Sequence, residues 1–260
     1  MPVPNTKPSL LVSRLYLEAV LPTLAPLCRY DSKAATMIEN ETFGVRFALA
    51  SGEHGSISFH DNQASSGNGT NVSQLNLLLP TAAQCVSLFS KKGLAIPIPL
   101  GGWSVLPKMG LFQKVTDRLE AVLQPDPADL EDPDFLAIHA HCSLFLAVRA
   151  LVVLLELDPE GQKLLPKLPK GIAVFRYRHE KFPDQWIDLT SNTPQAGEGE
   201  LPGPALVTLE FKTDQTAQLA MANRLDSLAA LGKQEMVLTG YVPFADSLDL
   251  VMKRIQPYLT

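Results

Sequence analysis

Residues 75–90 read LNLLLPTAAQCVSLFS, and residues 207–222, about 130 positions further along, read VTLEFKTDQTAQLAMA. In each stretch a short apolar run precedes a threonine, Thr81 or Thr213, which opens a segment with helical spacing of apolar residues. Each stretch therefore predicts a strand followed by a helix. Their similar layout indicates an internal duplication.

The segments around these two stretches repeat in the same order. Before them lie a helix, two strand-like segments and a polar loop. In the first half these four elements are at 9–27, 43–49, 56–59 and 60–74, and in the second half they are at 134–157, 171–177, 186–189 and 190–204. After them lie one more strand and a final amphipathic helix, at 94–100 and 111–123 in the first half and at 235–242 and 244–259 in the second.

This order predicts an α+β fold built from two copies of one module. The module is helix–strand–strand–strand–helix–strand–helix, with a mainly antiparallel sheet covered by helices. We assign residues 1–126 to the first copy and 134–260 to the second. Residues 124–134 (QPDPADLEDPD) are charged and rich in proline, which is typical of a linker.

The last strand of the first copy contains two prolines, in LAIPIPL at 94–100. Proline cannot donate a hydrogen bond to a neighbouring strand, so this segment is predicted to be an edge strand. Gly101 and Gly102 would release the chain into a turn, as Gly240 would in the second copy.

Composition narrows the classes of function. The chain has 260 residues, of which 46% are hydrophobic and 19% charged, so it can bury a core. A net charge of −5 argues against a nucleic-acid partner. Three widely spaced cysteines without a CxxC pair are typical of reduced thiols and predict a cytoplasmic location.

The apolar segment 142–157 is interrupted by Arg149 and Glu156 and is shorter than a membrane span. We therefore predict a buried core helix and no transmembrane segment. Packing of this helix against a second copy of the chain, in a homodimer, stays open.

The segment 207–259 resembles the sterol carrier protein type 2 domain: an apolar strand, a helix with an acidic start, a short strand ending at glycine, and a helix rich in Leu and Ile. The resemblance extends to the whole chain as two tandem diverged copies. It implies an apolar tunnel between sheet and helices that binds a sterol, a fatty acid or an acyl-CoA.

The sequence lacks the motifs GxSxG, GxGxxG, GxxxxGK[ST] and HExxH, so we predict no catalytic residue, no cofactor and no enzyme activity. In the segment His139–Ala140–His141–Cys142 only His139 and Cys142 could converge on a helix, so we predict no metal site.

We expect the inward apolar positions of the sheet and last helix to bind the ligand. The predicted ligand-binding residues are Phe47, Phe59, Leu77, Phe89, Ile96, Ile98, Trp103, Phe112, Leu209, Phe211, Met221, Val237 and Met252. Arg46 or Arg149 could anchor a carboxylate. The alternative is a structural module whose pockets are filled by large side chains and which serves dimerisation or assembly of a complex.

Overall fold

The computed structural model describes residues 9–67, 72–93, 95–177 and 181–259. Part of the predicted polar loop, at 68–71, and Leu94 of the predicted edge strand lie outside these ranges. The chain splits into two compact units, unit 1 (Met1–Asp126) and unit 2 (Pro127–Thr260).

Unit 1 begins with a helical segment that changes its pitch. Helix α1 (Ser9–Leu15) continues as a π-helical turn, Tyr16–Val20, and a 3-10 turn, Leu21–Thr23, before α2 (Leu24–Tyr30). The remaining elements are α3 (Ser32–Met37), β1 (Phe43–Leu49), β2 (His54–His60), β3 (Gln63–Ser66), β4 (Gln74–Leu79), α4 (Ala82–Phe89), β5 (Ile98–Gly101), a 3-10 helix (Trp103–Lys108) and α5 (Met109–Leu123).

Unit 2 follows the same plan with one long first helix. Its elements are α6 (Pro133–Leu157), α7 (Pro159–Leu164), β6 (Ile172–Tyr177), β7 (Gln185–Asp188), β8 (Gln195–Glu198), β9 (Ala205–Phe211), α8 (Asp214–Met221), α9 (Ser227–Gly232), β10 (Met236–Gly240), α10 (Val242–Met252) and α11 (Gln256–Leu259).

The two sheets have the same strand order. Sheet 1 runs β3-β2-β1-β4-β5 and sheet 2 runs β8-β7-β6-β9-β10. Strand β1 is parallel to β4, and β6 is parallel to β9, whereas all other neighbouring strands are antiparallel. This shared topology confirms the α+β class and the repeated module.

Each sheet has one more strand than the sequence predicts. The additional strands, β3 and β8, lie inside the predicted polar loops and have the sequences QASS and QAGE. Their side chains are mostly exposed or half-buried, so they carry no alternation of apolar and polar residues. Backbone pairing with β2 and β7, not burial, defines them.

The prediction that LAIPIPL is an edge strand is confirmed for β5, which is the last strand of sheet 1. Residues 95–101 alternate between half-buried and exposed, with Pro97 and Pro99 half-buried and Ile96, Ile98 and Leu100 exposed. The period is the predicted one, but the isoleucines point outward and the prolines inward.

A glycine lies at the end of the last strand in both units: Gly102 directly follows β5, and Gly240 is the last residue of β10. Gly102 and Gly240 have φ values of +81° and +95°, a backbone region that favours glycine. A Cβ atom at these positions would lie 2.0 Å from the carbonyl oxygen of Gln74 and 2.3 Å from that of Leu206. Both turns therefore require glycine, as the sequence predicts.

Two helical stretches, Ser9–Tyr30 and Pro133–Leu157, are long and apolar enough to cross a membrane by length and composition alone. Most of their residues are buried in the structure, and core helices of globular proteins pass the same test. Helix α6, which contains the apolar segment 142–157, has 25 residues. It is therefore longer than the segment whose short length led to the prediction of no transmembrane span.

Candidate functional site

The inner face of sheet 1, which packs against helices, carries a continuous aromatic cluster. The ring of Phe47 on β1 lies 5.1 Å from that of Phe89 on α4 and 6.0 Å from that of Phe112 on α5, between centroids. Phe112 also lies 6.5 Å from Phe59 on β2. Leu77, paired with Phe47 across β1 and β4, is buried. These five predicted ligand-binding residues thus surround one region and largely contact one another.

The corresponding face of sheet 2 is less completely covered. Leu209 occupies the place on β9 that Leu77 occupies on β4, since each pairs with a phenylalanine of the parallel first strand. Leu77 is buried, whereas Leu209 is half-buried although Val207 and Phe211 on either side of it are buried. Part of the apolar inner face at Leu209 is therefore accessible.

Two predicted residues of unit 2 lie at the ends of helices that pack on this strand. Met221 ends α8 and Met252 ends α10, both are half-buried, and both helices pack on β9. The backbone carbonyl of Met221 accepts a hydrogen bond from Gln256 Nε2 at 3.3 Å, which ties the end of α8 to α11.

Four predicted residues do not face the helices. Ile98 pairs with Leu78 and Val237 pairs with Glu210, so both point to the sheet face opposite Leu77 and Leu209.

Ile96, Ile98 and Trp103 are 70%, 46% and 61% exposed. The expectation that Ile96, Ile98 and Val237 point inward is therefore wrong, and Trp103 lies on the surface.

A buried carboxylate holds the last helix of unit 1. Asp31 caps the N-terminus of α3 by accepting a hydrogen bond from Ala34 N at 2.7 Å. Its side chain is 3% exposed and receives two further donors from Arg118 on α5, Nη2 at 2.5 Å and Nε at 3.2 Å. The sequence separation of 87 residues makes this a tertiary clamp.

Unit 2 contains an equivalent clamp. Asp158 caps α7 by accepting hydrogen bonds from the backbone N–H groups of Glu160 and Gly161. Arg254, which follows α10, donates from Nε and Nη2 at 2.8 Å each, and Tyr258 donates from Oη at 2.6 Å.

Burial raises the pKa of Asp158, but the hydrogen bonds from Arg254 and Tyr258 outweigh it, so the pKa lies below its ordinary value. The two clamps, Asp31–Arg118 and Asp158–Arg254, were not predicted from the sequence. Comparing the repeats offered one signal, because each aspartate follows the first helix and each arginine lies in the last helical region.

Of the two arginines considered as anchors, only Arg149 lies on a helix of the covering layer. Its guanidinium carbon lies 4.4 Å from the ring centroid of Phe145, and its Nε is buried with no hydrogen-bond partner among the described residues. Burial lowers its pKa, and Glu198 on β8 opposes this effect. Arg46 pairs with Ser56 and Asn76 on the face opposite Phe47.

The segment from His139 to Cys142 belongs to the core of unit 2. The ring of His141 stacks on that of Phe182 with a centroid distance of 4.3 Å, and Cys142 is fully buried. Among the residues that the structure describes, no group of three or more His, Cys, Asp or Glu side chains could hold a metal ion.

Comparison with protein-family profiles gives no match, and comparison with curated proteins gives none. Among solved structures, the sterol carrier protein 2 from Yarrowia lipolytica matches at 20% identity over 41% of this chain and 87% of its own, with a TM-score of 0.33. The sterol carrier protein domain 2 of Helicoverpa armigera matches at 16% identity over 43% of this chain and 87% of its own, with a TM-score of 0.35.

The sec-alkylsulfatase Pisa1 from Pseudomonas sp. also matches, at 16% identity over 57% of this chain and 28% of its own, with a TM-score of 0.27. Sterol carrier domains are thus among the solved structures to which this chain is similar.

Proposed function

We propose that the chain is a non-catalytic binding protein for an apolar small molecule of the lipid class, and that unit 2 holds the ligand. The observation that carries this proposal is the accessible apolar surface at Leu209, on a sheet face that helices cover. Ligand pockets are mostly apolar and need few polar groups. Leu209, Met221 and Met252 would supply the apolar wall, and methionine adapts well to irregular ligands.

Unit 1 differs at the equivalent place. Phe47 contacts both Phe89 and Phe112, and Leu77, which pairs with Phe47, is buried, so side chains occupy much of the region that a ligand would need. This arrangement supports a second candidate function for unit 1, a module for assembly or interaction. We further propose a cytoplasmic location, for which the buried free thiols of Cys28, Cys85 and Cys142 are suitable.

The test is uptake of a fluorescent C16 fatty acid and a fluorescent sterol, with native mass spectrometry of the freshly purified protein. We expect one ligand per chain. Leu209→Trp should fill the accessible space and weaken binding at least about tenfold, because the ligand would lose its apolar contacts. Leu228→Trp is the matched control, since Leu228 lies on α9 of the same unit and is 83% exposed.

Circular dichroism of both variants checks that they fold. A bare mass together with no uptake of either probe would refute the proposal. Two ligands per chain, or full binding by a folded Leu209→Trp variant, would refute the assignment to unit 2.

A further inference from the structure

Unit 1 exposes a set of large apolar side chains at one edge of its sheet. They lie just before β5, on β5 and on the 3-10 helix after it. We call them the edge patch: Ile96, Ile98, Leu100, Trp103 and Leu106, which are 42 to 70% exposed. Single exposed apolar residues are normal, but a contiguous group of this kind is typical of an interaction site.

The backbone beside the edge patch is poorly suited to a protein partner that adds a strand. Strand addition relies on main-chain hydrogen bonds along a free sheet edge. Pro97 and Pro99 remove two N–H donors from this segment, and prolines at sheet edges discourage such pairing. A partner of the edge patch therefore has to be recognised through apolar side chains.

The sequence around the edge patch is rich in lysine although the chain as a whole is acidic. Between Asp61 and Asp117 the sequence contains no carboxylate, and it contains four lysines, Lys91, Lys92, Lys108 and Lys114. Lys91 and Lys108 form ion pairs with carboxylates from other parts of unit 1.

The other two lysines are available to a partner. Lys92 and Lys114 are exposed and make no ion pair within the ranges that the structure describes. Lys114 lies on α5 one turn before Asp117, on the helix face that Lys91 contacts.

The sequence at the equivalent edge of unit 2 is acidic instead. Tyr241 and Val242 follow β10 and are 49% and 44% exposed. The sequence from 233 to 250 contains one lysine, Lys233, and three carboxylates, Glu235, Asp246 and Asp249. Exposed apolar residues thus occur at both edges, but of these two segments it is the one in unit 1 in which lysines outnumber carboxylates.

We propose that the edge patch of unit 1 docks on the surface of a bilayer that contains anionic lipids. Aliphatic side chains would enter the acyl boundary, a tryptophan is favoured at the interface, and lysines attract anionic headgroups. This inference goes beyond the ligand-binding proposal and does not depend on it, because it concerns the other unit.

The test is co-sedimentation of the full chain with vesicles of phosphatidylcholine containing about one third phosphatidylglycerol, and with pure phosphatidylcholine vesicles. We expect binding to the anionic vesicles that weakens with added salt, and much weaker binding to the neutral ones. The double variant Leu100→Ser/Trp103→Ser should lower the partition coefficient at least about tenfold. Tyr241→Ser/Val242→Ser is the matched control in unit 2 and should change it less than about twofold.

Further variants separate the contributions. Lys92→Glu/Lys114→Glu should reduce binding to anionic vesicles and its salt dependence, without affecting binding to neutral vesicles. Leu209→Trp, which blocks the proposed ligand site, should leave vesicle binding unchanged. All substituted edge residues are exposed, so circular dichroism should be unaltered.

Failure of the wild-type protein to bind anionic vesicles would overturn the proposal, and so would equal losses in the edge variant and its unit 2 control. A wild-type dimer by light scattering that Leu100→Ser/Trp103→Ser converts to a monomer, with no vesicle binding by either, would assign the edge patch to a second copy of this chain instead.

Discussion

Replacing Arg254 by alanine should release the C-terminal helices of unit 2. Asp158 is fully buried and accepts five hydrogen bonds, two of them from Arg254. Breaking a buried ion pair by removing one partner costs about 3 to 5 kcal/mol. Since the Arg254 side chain is itself 36% exposed, water screens part of the interaction. We therefore expect Arg254→Ala to destabilise these helices by about 3 kcal/mol.

Native-state hydrogen exchange, read by mass spectrometry on peptides covering 242–259, measures this loss locally. Opening of these helices should become easier by about 3 kcal/mol, so exchange should accelerate roughly 100-fold. The control is Lys253→Ala, because Lys253 pairs with Asp249 on the helix surface, where both side chains are about half exposed. Such a pair contributes at most about 0.5 kcal/mol. If the two variants exchange at the same rate, the clamp does not hold these helices.

Three further predictions concern the pH, a glycine and the cysteines. The pKa of Asp158 is lowered in the folded protein, so the stabilisation it provides is complete above its unfolded-state pKa of about 3.9. This stabilisation is lost as the pH falls through the lower folded-state pKa. Hydrogen exchange in 242–259, corrected for intrinsic rates, should therefore stay constant from pH 7 to 5 and rise below about pH 4. Gly102→Ala should lower the urea midpoint of unit 1 more than Gly52→Ala. Both glycines have positive φ, but a Cβ atom at Gly102 would lie 2.0 Å from a carbonyl oxygen of β4, whereas a Cβ atom at Gly52 would meet nothing within 4 Å. Burial raises the pKa of the Cys28 and Cys85 thiols to about 12, so neither should react with an aromatic disulfide reagent at pH 8 until urea unfolds the protein; rapid reaction of the native protein would contradict their burial.

The order of elements was predictable because apolar periodicity and turn residues are local. The strand–helix stretches at 75–90 and 207–222 appear as β4–α4 and β9–α8. Thr81 and Thr213 are the N-caps of these helices, and each accepts a hydrogen bond from the backbone N–H of the residue three positions later. The strands β3 and β8 were missed because their pairing with β2 and β7 leaves no trace in side-chain polarity.

The direction of the edge-strand side chains was not predictable from alternation alone. A period of two has two possible phases, and a shift of one residue moves every side chain to the other face. The apolar character of isoleucine suggested that Ile96 and Ile98 point inward. In the structure Pro99 pairs with Leu77 and takes the inward place, which leaves the isoleucines exposed.

The clamps lie beyond local reasoning for a different reason. Arg118 and Asp31 are 87 residues apart, and Arg254 and Asp158 are 96 apart, so nothing in the sequence near either partner indicates the other. Charged residues in these positions look like ordinary solvated surface. Only folding brings a helix N-cap and the last helical region together and buries the carboxylate.

The differences between the copies are more informative about function than their common features. Both units keep the strand order, the positive-φ glycine and the aspartate–arginine clamp. They diverge at the inner face, where Leu77 is buried and Leu209 is half-buried, and at the sheet edge, where the nearby sequence is rich in lysine in unit 1 and in carboxylates in unit 2. Two interchangeable carriers would need the same inner face and the same edge in both copies. A largely filled unit with a lysine-rich apolar edge and a partly accessible unit with an acidic edge instead suit the division of labour that we propose, in which unit 1 docks on a membrane and unit 2 binds the ligand.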